Sequence, residues 1–276
     1  MMTYVEKLKK FPNKTVKLDR FLQAYREAGQ GDHHLVLLHG ISSGSGSWIN
    51  QLEDLGHQFH ILAWDAPGYG QSDGLATKTP KATDYAVRLK ALFDALNIKK
   101  AIIVGHSLGA LQASAFAHDY PEYVEALVIT NAAQGYGQSD AETQLQVFQK
   151  RPKMLQELGA EGMAKSRGPH LVYKQDSNAL SLIENVMVNI SLDGFTNASY
   201  LLAYDDIRNY LKNLKIKTVV IAAKQDGITP IDGIKKLAED LNLCNFQQID
   251  QAGHLSYLDQ PDVFNNIILE IIHQTK

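Results

Sequence analysis

The stretch AIIVGHSLGALQASAFAH, residues 101–118, decides the fold. It opens on a short apolar run, too brief for a helix and suited to a strand buried on both faces. Gly105-His106-Ser107-Leu108-Gly109 follows, a G-x-S-x-G pentapeptide, and the amphipathic run Ala110 to His118 continues as a helix. Strand, sharp turn and helix in that order are the context of a nucleophile elbow. The two glycines leave room for a backbone reversal that side chains would obstruct, so Ser107 is pushed out above the sheet. Lying at a helix start, it also has partly positive backbone N–H groups beside it. Such pentapeptides also arise by chance in Gly- and Ser-rich loops; the flanking strand and helix argue against that origin here.

Similar apolar runs recur along the chain: LVLLH (Leu35 to His39), FHILAWD (Phe59 to Asp65), ALVIT (Ala126 to Thr130), TVVIAA (Thr218 to Ala223) and FQQID (Phe246 to Asp250). Segments of helical periodicity separate several of them. In Thr83 to Leu96 the residues Tyr85, Val87, Leu89, Leu92, Phe93 and Leu96 place most apolar groups on one broad stripe, Asp232 to Leu241 is a second such segment, and a final helix follows Pro261, which suits a first turn. The alternation predicts βαβ units and an α/β fold with a mostly parallel sheet flanked by helices. Thr15 to Ala28 alternates apolar and polar residues, as a half-buried hairpin at an antiparallel edge would.

The interval 133–205 breaks this rhythm with helix-like sequence rich in Met, Leu, Gln and Tyr. Roughly 70 residues cannot be one structureless loop in a compact domain. They are expected to form a helical cap inserted into a single core domain made of residues 1–132 and 206–276. The hexapeptide GYGQSD occurs at Gly68 to Asp73 and again at Gly135 to Asp140, but nothing around the copies matches. It reads as a coincidence between glycine-rich loops rather than as a repeat.

Composition excludes several classes. A chain of 276 residues with 45% hydrophobic and 21% charged residues can bury a large core. With 27 basic and 30 acidic residues, net charge -3, it has no global basic field for nucleic acid. The lone Cys244 forms no intrachain disulfide and leaves no CxxC pair for zinc, which fits a reducing compartment. The lysine-rich start lacks an export signal and no run reaches the roughly 18 apolar residues of a membrane span, so a cytoplasmic protein with no membrane partner is expected. Gly44-Ser45-Gly46 is followed by Ser47-Trp48-Ile49, without a third glycine or a Walker lysine, so no nucleotide is assigned. Neither a metal nor an organic cofactor is expected.

A serine hydroxyl is a weak nucleophile at neutral pH and needs a histidine base whose tautomer a third group fixes. His254 follows the last expected strand, and Asp226 follows TVVIAA. Both loops leave the carboxyl edge of a parallel strand, where open α/β sheets place their sites. The chain order Ser107, Asp226, His254 is the one this elbow requires. Asp226 could instead initiate a turn with Gly227, and Asp205, Asp206, Asp250 and Asp259 are other carboxylates in the region. Asp226 is favoured because it alone sits just past a buried strand with a small residue following. The loop after ALVIT, another place for an acid, begins with Asn131. Among ten histidines, His33, His34, His57, His60 and His273 fall in surface stretches or strand starts and read as solvated, and His106 reads as pointing away from the nucleophile's side. An oxyanion would be received by the N–H of Leu108 and by that of Ile41, in the loop His39-Gly40-Ile41, where Gly40 permits close approach.

His39-Gly40, Asp65-Ala66-Pro67-Gly68-Tyr69-Gly70-Gln71-Ser72, Gly105 to Gly109, Asp226 and Ala252-Gly253-His254 together resemble the motif series of the α/β-hydrolase superfamily. The resemblance covers nearly the whole chain outside the expected cap. It implies an eight-stranded sheet, a lid inserted after the sixth strand, and a catalytic triad of Ser107, Asp226 and His254. Thr229-Pro230 and His254 to Pro261 look most similar to the small bacterial esterase, enol-lactonase and carbon-carbon bond hydrolase branch. A serine at the elbow departs from the haloalkane dehalogenase and epoxide hydrolase branches, which place aspartate there.

The expected activity is therefore serine hydrolysis of a small carboxylic ester or lactone. The alternatives are carbon-carbon bond hydrolysis of a vinylogous diketone, a small-ligand receptor, or a cofactor-free oxygenase. In the expected cap, Arg151, Lys153, Lys165, Arg167 and Arg208 are candidates to bind a substrate carboxylate, although long cationic side chains on helices usually reach into water. Phe195, Tyr200, Met187 and Leu192 are candidates to line an apolar pocket, with helical packing as the competing role.

Overall fold

In a computed structural model of the chain, which describes residues 2–273 and not the side chain of His273, each apolar run forms a strand. The hairpin is β1 (Lys14–Leu18) and β2 (Phe21–Ala28), followed by β3 (His33–Leu38), β4 (Phe59–Trp64), β5 (Ala101–His106), β6 (Val124–Thr130), β7 (Thr218–Ala223) and β8 (Asn245–Ile249). They make one eight-stranded sheet in the order β1-β2-β4-β3-β5-β6-β7-β8. The pairs of β2 with β1 and with β4 are antiparallel; every other pair is parallel. Every residue of β5 and β7 is buried, as an unbroken apolar pattern requires of strands covered on both faces. The edge strand β8 is mostly half-buried.

The helices are α1 (Tyr4–Leu8), α2 (Ile49–Asp54), α3 (Ala82–Ala95), α4 (Leu108–Asp119), α5 (Ala141–Arg167), α6 (Ser177–Met187), α7 (Leu192–Tyr204), α8 (Arg208–Leu211), α9 (Ile231–Asp240), α10 (Ser256–Asp259) and α11 (Pro261–His273). Helix α4 lies on β3, β5 and β6 and packs against α3. It is buried from Leu108 through Ala117, and the small side chains of Ala110, Ala113, Ser114 and Ala115 are what let a helix sit that deep. Among the described residues no helix is long and apolar enough to cross a membrane.

Strand β3 lies between β4 and β5. The chain therefore leaves β3 toward one side of the sheet and resumes at β5 on the other, which opens a crevice at the carboxyl ends of those strands. The loops that follow β3 and β5 become neighbours, and β7 and β8 deliver their loops to the same edge.

Between β6 and β7 the chain runs through α5, α6, α7 and α8. Helix α5 is broken at Gly159, where φ is 65° and ψ 174°. Asp176 caps α6 and Ser191 caps α7 through side-chain acceptance of first-turn N–H groups. Asn178 Oδ1 accepts the Tyr4 N–H at 2.7 Å, which ties this helical layer to α1. The two GYGQSD copies share more than letters. Gly68 and Gly135 have φ of 84° and 85°, and in each copy the serine N–H bonds the tyrosine carbonyl at 2.9 Å. The copies then diverge, since Gly70 has φ 53° and its counterpart Gly137 is not in the positive region, and no larger unit repeats around them.

The strand-start histidines are less solvated than expected. His57 is exposed, whereas His33, His34 and His60 are half-buried because neighbouring strands cover them. His33 faces Glu125 at 3.7 Å, and His60 bonds Glu27. The His273 side chain lies outside the described residues.

Candidate active site

Ser107 sits where β5 turns into α4, with φ 53° and ψ -118°. A non-glycine residue rarely adopts a positive φ, and the conformation is held from outside. Its N–H donates to the Thr130 carbonyl at 3.0 Å, and its carbonyl accepts from Ala110 and Ala133 at 3.0 and 3.1 Å. The flanking glycines are required by close approach. A Cβ on Gly105 would lie 2.3 Å from the Gly109 carbonyl oxygen, and one on Gly109 would lie 2.3 Å from that of Leu38.

The loop after β3 comes up against the elbow, as the strand order dictates. A Cβ on Gly40 would meet Ser107 Cβ at 2.9 Å. Two side chains fix this loop. His39 Nδ1 bonds the Gly40 carbonyl at 2.8 Å, while its Nε2 accepts the Ala66 N–H at 3.0 Å. The donor and acceptor needs of these partners assign the proton to Nδ1. Burial pushes the His39 pKa down, keeping the ring neutral. The buried Tyr69 hydroxyl donates to the Ile41 carbonyl at 2.8 Å.

Across the sheet edge, His254 Nδ1 bonds Asp226 Oδ2 at 2.8 Å. A carboxylate only accepts, so Nδ1 carries the proton and Nε2 is left as the basic nitrogen. Asp226 Oδ1 accepts the N–H groups of Ile228 at 2.7 Å and Thr229 at 3.0 Å, and its Oδ2 also accepts from Thr229 Oγ1 at 2.6 Å and Asn131 Nδ2 at 2.8 Å. Burial alone would raise its pKa; the bond to His254 and the charge of that ring, with the bonds from Thr229, outweigh it and hold the carboxyl well below the usual range.

The competing acids are occupied elsewhere. Asp205 accepts from Tyr210 and from the Ala82 N–H. Asp206 accepts from the Arg208 N–H, and Asp250 faces Lys224 on the surface. Asp259 accepts the N–H groups of Gly253 and Tyr173 at 2.8 and 2.9 Å, joining the His254 loop to the segment before α6.

His106 does not point away from the site. It borders the same cavity as Ser107, its Nε2 donates to the His254 carbonyl at 2.8 Å, and the two rings lie 4.7 Å apart. The last residue of β5 turns its ring under the neighbouring loop, a direction that alternation along a strand does not disclose. Burial, then the charge of His254, pushes the His106 pKa well down.

A cavity of about 360 Å³ is walled by Ser107, Leu108, Ile41 and His254 together with Arg151 and Arg167 of α5. Of the other expected cationic candidates, Lys153 and Lys165 are exposed, and Arg208 bonds Asp206 and Gln134. Phe195 and Met187 are fully buried in packing. Leu192 is exposed and the Tyr200 ring lies tilted against that of Tyr204, centroids 4.5 Å apart, so Leu171, Leu202 and Tyr136 supply apolar wall instead.

A family model described as alpha/beta hydrolase fold matches residues 33–261. The chain is similar to a 2-hydroxy-6-oxo-6-phenylhexa-2,4-dienoate hydrolase of Comamonas testosteroni, 26% identical over 275 residues and spanning 93% of each chain. It is likewise similar to a 2-hydroxy-6-oxononadienedioate/2-hydroxy-6-oxononatrienedioate hydrolase of Pseudomonas putida, 25% identical over 259 residues and 90% of each chain. Its fold matches that of a thermophilic esterase of Thermogutta terrifontis with a TM-score of 0.84 at 20% identity, covering 96% of this chain and 99% of that one. An enol-lactonase of Burkholderia xenovorans LB400 superposes with a TM-score of 0.80 at 19% identity, over 94% and 100% of the two chains. With the family model spanning most of its length, this chain belongs to the alpha/beta hydrolase fold family.

Proposed function

We propose that the protein hydrolyses a carboxylic ester or lactone of a small molecule through an acyl-enzyme on Ser107. The observation that carries this reading is a serine held at φ 53° on the wall of a cavity it shares with His254, whose Nδ1 is bound by Asp226. Ser107 Oγ attacks the carbonyl carbon and its proton passes to His254 Nε2. The carbonyl oxygen becomes an oxyanion that the N–H groups of Ile41 and Leu108 receive; Leu108 begins α4, and first-turn N–H groups have no partner within their own helix. As the C–O bond breaks, His254 returns the proton to the leaving alcohol, which in a lactone stays tethered to the acyl group. Water then attacks the acyl-enzyme with His254 as base, releasing the carboxylic acid and restoring Ser107. Asp226 orients the ring throughout and stays ionised. No step calls on a metal or organic cofactor. The inserted helices of residues 133–205 act as a cap over this chemistry, since α5 supplies cavity wall.

Labelling with a fluorophosphonate tests the assignment. Wild type is expected to be labelled and Ser107→Ala not, with kcat lowered by roughly 10⁴ or more for loss of the serine or the histidine; a folded, active wild type that resists labelling would overturn it. The names of the similar Comamonas and Pseudomonas proteins favour a second reading, carbon-carbon bond hydrolysis of a vinylogous diketone on the same three residues. Parallel assays on p-nitrophenyl esters and on a dienol-diketone separate the two.

A further inference from the structure

Arg151 and Arg167 border the cavity that holds Ser107 and His254, and the Nε of each is buried without a hydrogen-bond partner. They lie on either side of the break in α5 at Gly159. The lysines of the same helix, Lys150, Lys153 and Lys165, are exposed. The inward turn is thus confined to the side chains whose planar fork matches a carboxylate with two parallel hydrogen bonds.

Charge in the cavity is unbalanced. Among the described residues, no aspartate or glutamate lines it. The titratable groups that act on Arg151 are Arg167, Tyr136 and Tyr69, none of them a carboxylate; burial first, then the charge of Arg167, pushes its pKa down to about 10, which leaves it protonated at neutral pH. Two half-buried cations on the wall of one cavity, each with a buried Nε, are unfavourable unless an anion joins them. A cavity of about 360 Å³ is at the low end for a ligand site, which suits one short molecule that carries both the anion and the acyl group attacked by Ser107.

We propose that Arg151 and Arg167 form a recognition site for a carboxylate that the substrate carries in addition to its scissile acyl group, making short half-esters of dicarboxylic acids the preferred substrate class. The choice of half-esters rests on the serine hydrolase reading given above; the anion site itself rests on the two arginines and the cavity.

Binding and turnover are tested separately. The full chain carrying Ser107→Ala is titrated calorimetrically with malonate, succinate, glutarate and adipate, and with inorganic phosphate as a carboxylate-free anion. At least one dicarboxylate is expected to bind, with affinity falling roughly tenfold or more when Arg151→Met or Arg167→Met is added. Arg151→Lys should recover part of the loss if charge and fork both contribute. With Ser107 intact, p-nitrophenyl hydrogen glutarate should exceed its neutral methyl ester in kcat/KM by roughly tenfold or more, and the ratio should collapse in either Met variant. The proposal is overturned if no dicarboxylate binds, if the Met variants bind as wild type does, or if phosphate binds as tightly. Fluorophosphonate labelling in parallel keeps the readings apart: labelling without dicarboxylate binding removes the anion site and leaves the serine hydrolase, and binding without labelling does the reverse.

Discussion

Asn131 Nδ2 donates to Asp226 Oδ2 at 2.8 Å, the same oxygen that accepts the His254 ring proton at 2.8 Å. Asn131 stands just past β6 with φ 46°, a left-handed conformation that asparagine tolerates better than most residues. Its N–H is anchored on the Ile221 carbonyl at 2.9 Å, and its Oδ1 accepts from Ser256 Oγ at 2.8 Å. The amide is held from both ends, so it can orient the carboxylate. Asn131→Ala removes a hydrogen bond to a buried charged group, worth about 1.5–3 kcal/mol. Steady-state kinetics should show kcat lowered roughly tenfold or more with KM little changed. Asn131→Asp is nearly isosteric but replaces the amide donor with a second negative charge beside Asp226, so its kcat should fall at least as far as that of Asn131→Ala. A wild-type kcat in both variants would show that this contact does not reach the histidine.

Asn131 also marks the limit of what the residues alone disclose. Ser107, Asp226 and His254 stand out in the sequence because each has a chemically distinctive side chain where a loop leaves a buried strand. Asn131 occupies an equivalent place but is an amide, so a search for acids passes over it; the surviving signal was an asparagine at a strand end, where a left-handed turn suits it. The strands were legible for the reason they are buried, namely runs of apolar residues covered on both faces. Which of the α5 cations face inward was not legible, because Pro152 and the break at Gly159 disrupt the helical period on which such a reading depends. His106 misled for a related reason: the sharp turn at Ser107 lets its ring pass beneath the next loop.

Acid should weaken the fold before it reaches the carboxylates. His39 and His106 are buried, and burial lowers the pKa of each in the folded chain. In the unfolded chain they titrate near their ordinary value of about 6.5. Between the folded and unfolded values the unfolded state binds more protons, so stability is fully present above that ordinary value and declines as pH falls below it. Asp226, with its folded pKa depressed, acts in the same direction at lower pH, its contribution being lost as pH falls through the carboxylate range. Thermal melts from pH 7.5 to 5 should show a declining Tm, and His106→Asn, whose amide can still donate to the His254 carbonyl without titrating, should flatten that decline. An equal slope in the variant would remove His106 from the account.

The elbow predicts a sharp contrast between two glycines. In Gly109→Ala the new methyl carbon meets the Leu38 carbonyl oxygen at 2.3 Å and that of His39 at 2.7 Å. Both obstacles are backbone, so α4 must move off β3, at a cost of about 1–3 kcal/mol or more. Gly74→Ala meets nothing within 4 Å. Urea denaturation should show a lower midpoint for Gly109→Ala and a midpoint near wild type for Gly74→Ala. Equal midpoints would mean that the strand-to-helix approach is not the constraint.

His39 is expected to govern the oxyanion site without touching substrate. A trans peptide is planar, so its C=O and N–H point in opposite directions. The Gly40 carbonyl and the Ile41 N–H share one such plane, and His39 Nδ1 holds that carbonyl at 2.8 Å. Fixing the oxygen aims the N–H. The Tyr69 hydroxyl holds the Ile41 carbonyl at 2.8 Å, which restrains the following peptide as well. Removing one oxyanion donor outright costs about 10²–10³ in kcat, so His39→Leu, which leaves the donor in place but frees its plane, should cost up to that amount and no more. Because Ser107 and His254 remain, fluorophosphonate labelling should persist at a reduced rate, and KM for a small ester should change little. Tyr69→Phe should give a weaker version of the same kcat loss. If His39→Leu instead raised KM at unchanged kcat, the loop would be serving ground-state binding rather than the charge that develops on the carbonyl oxygen.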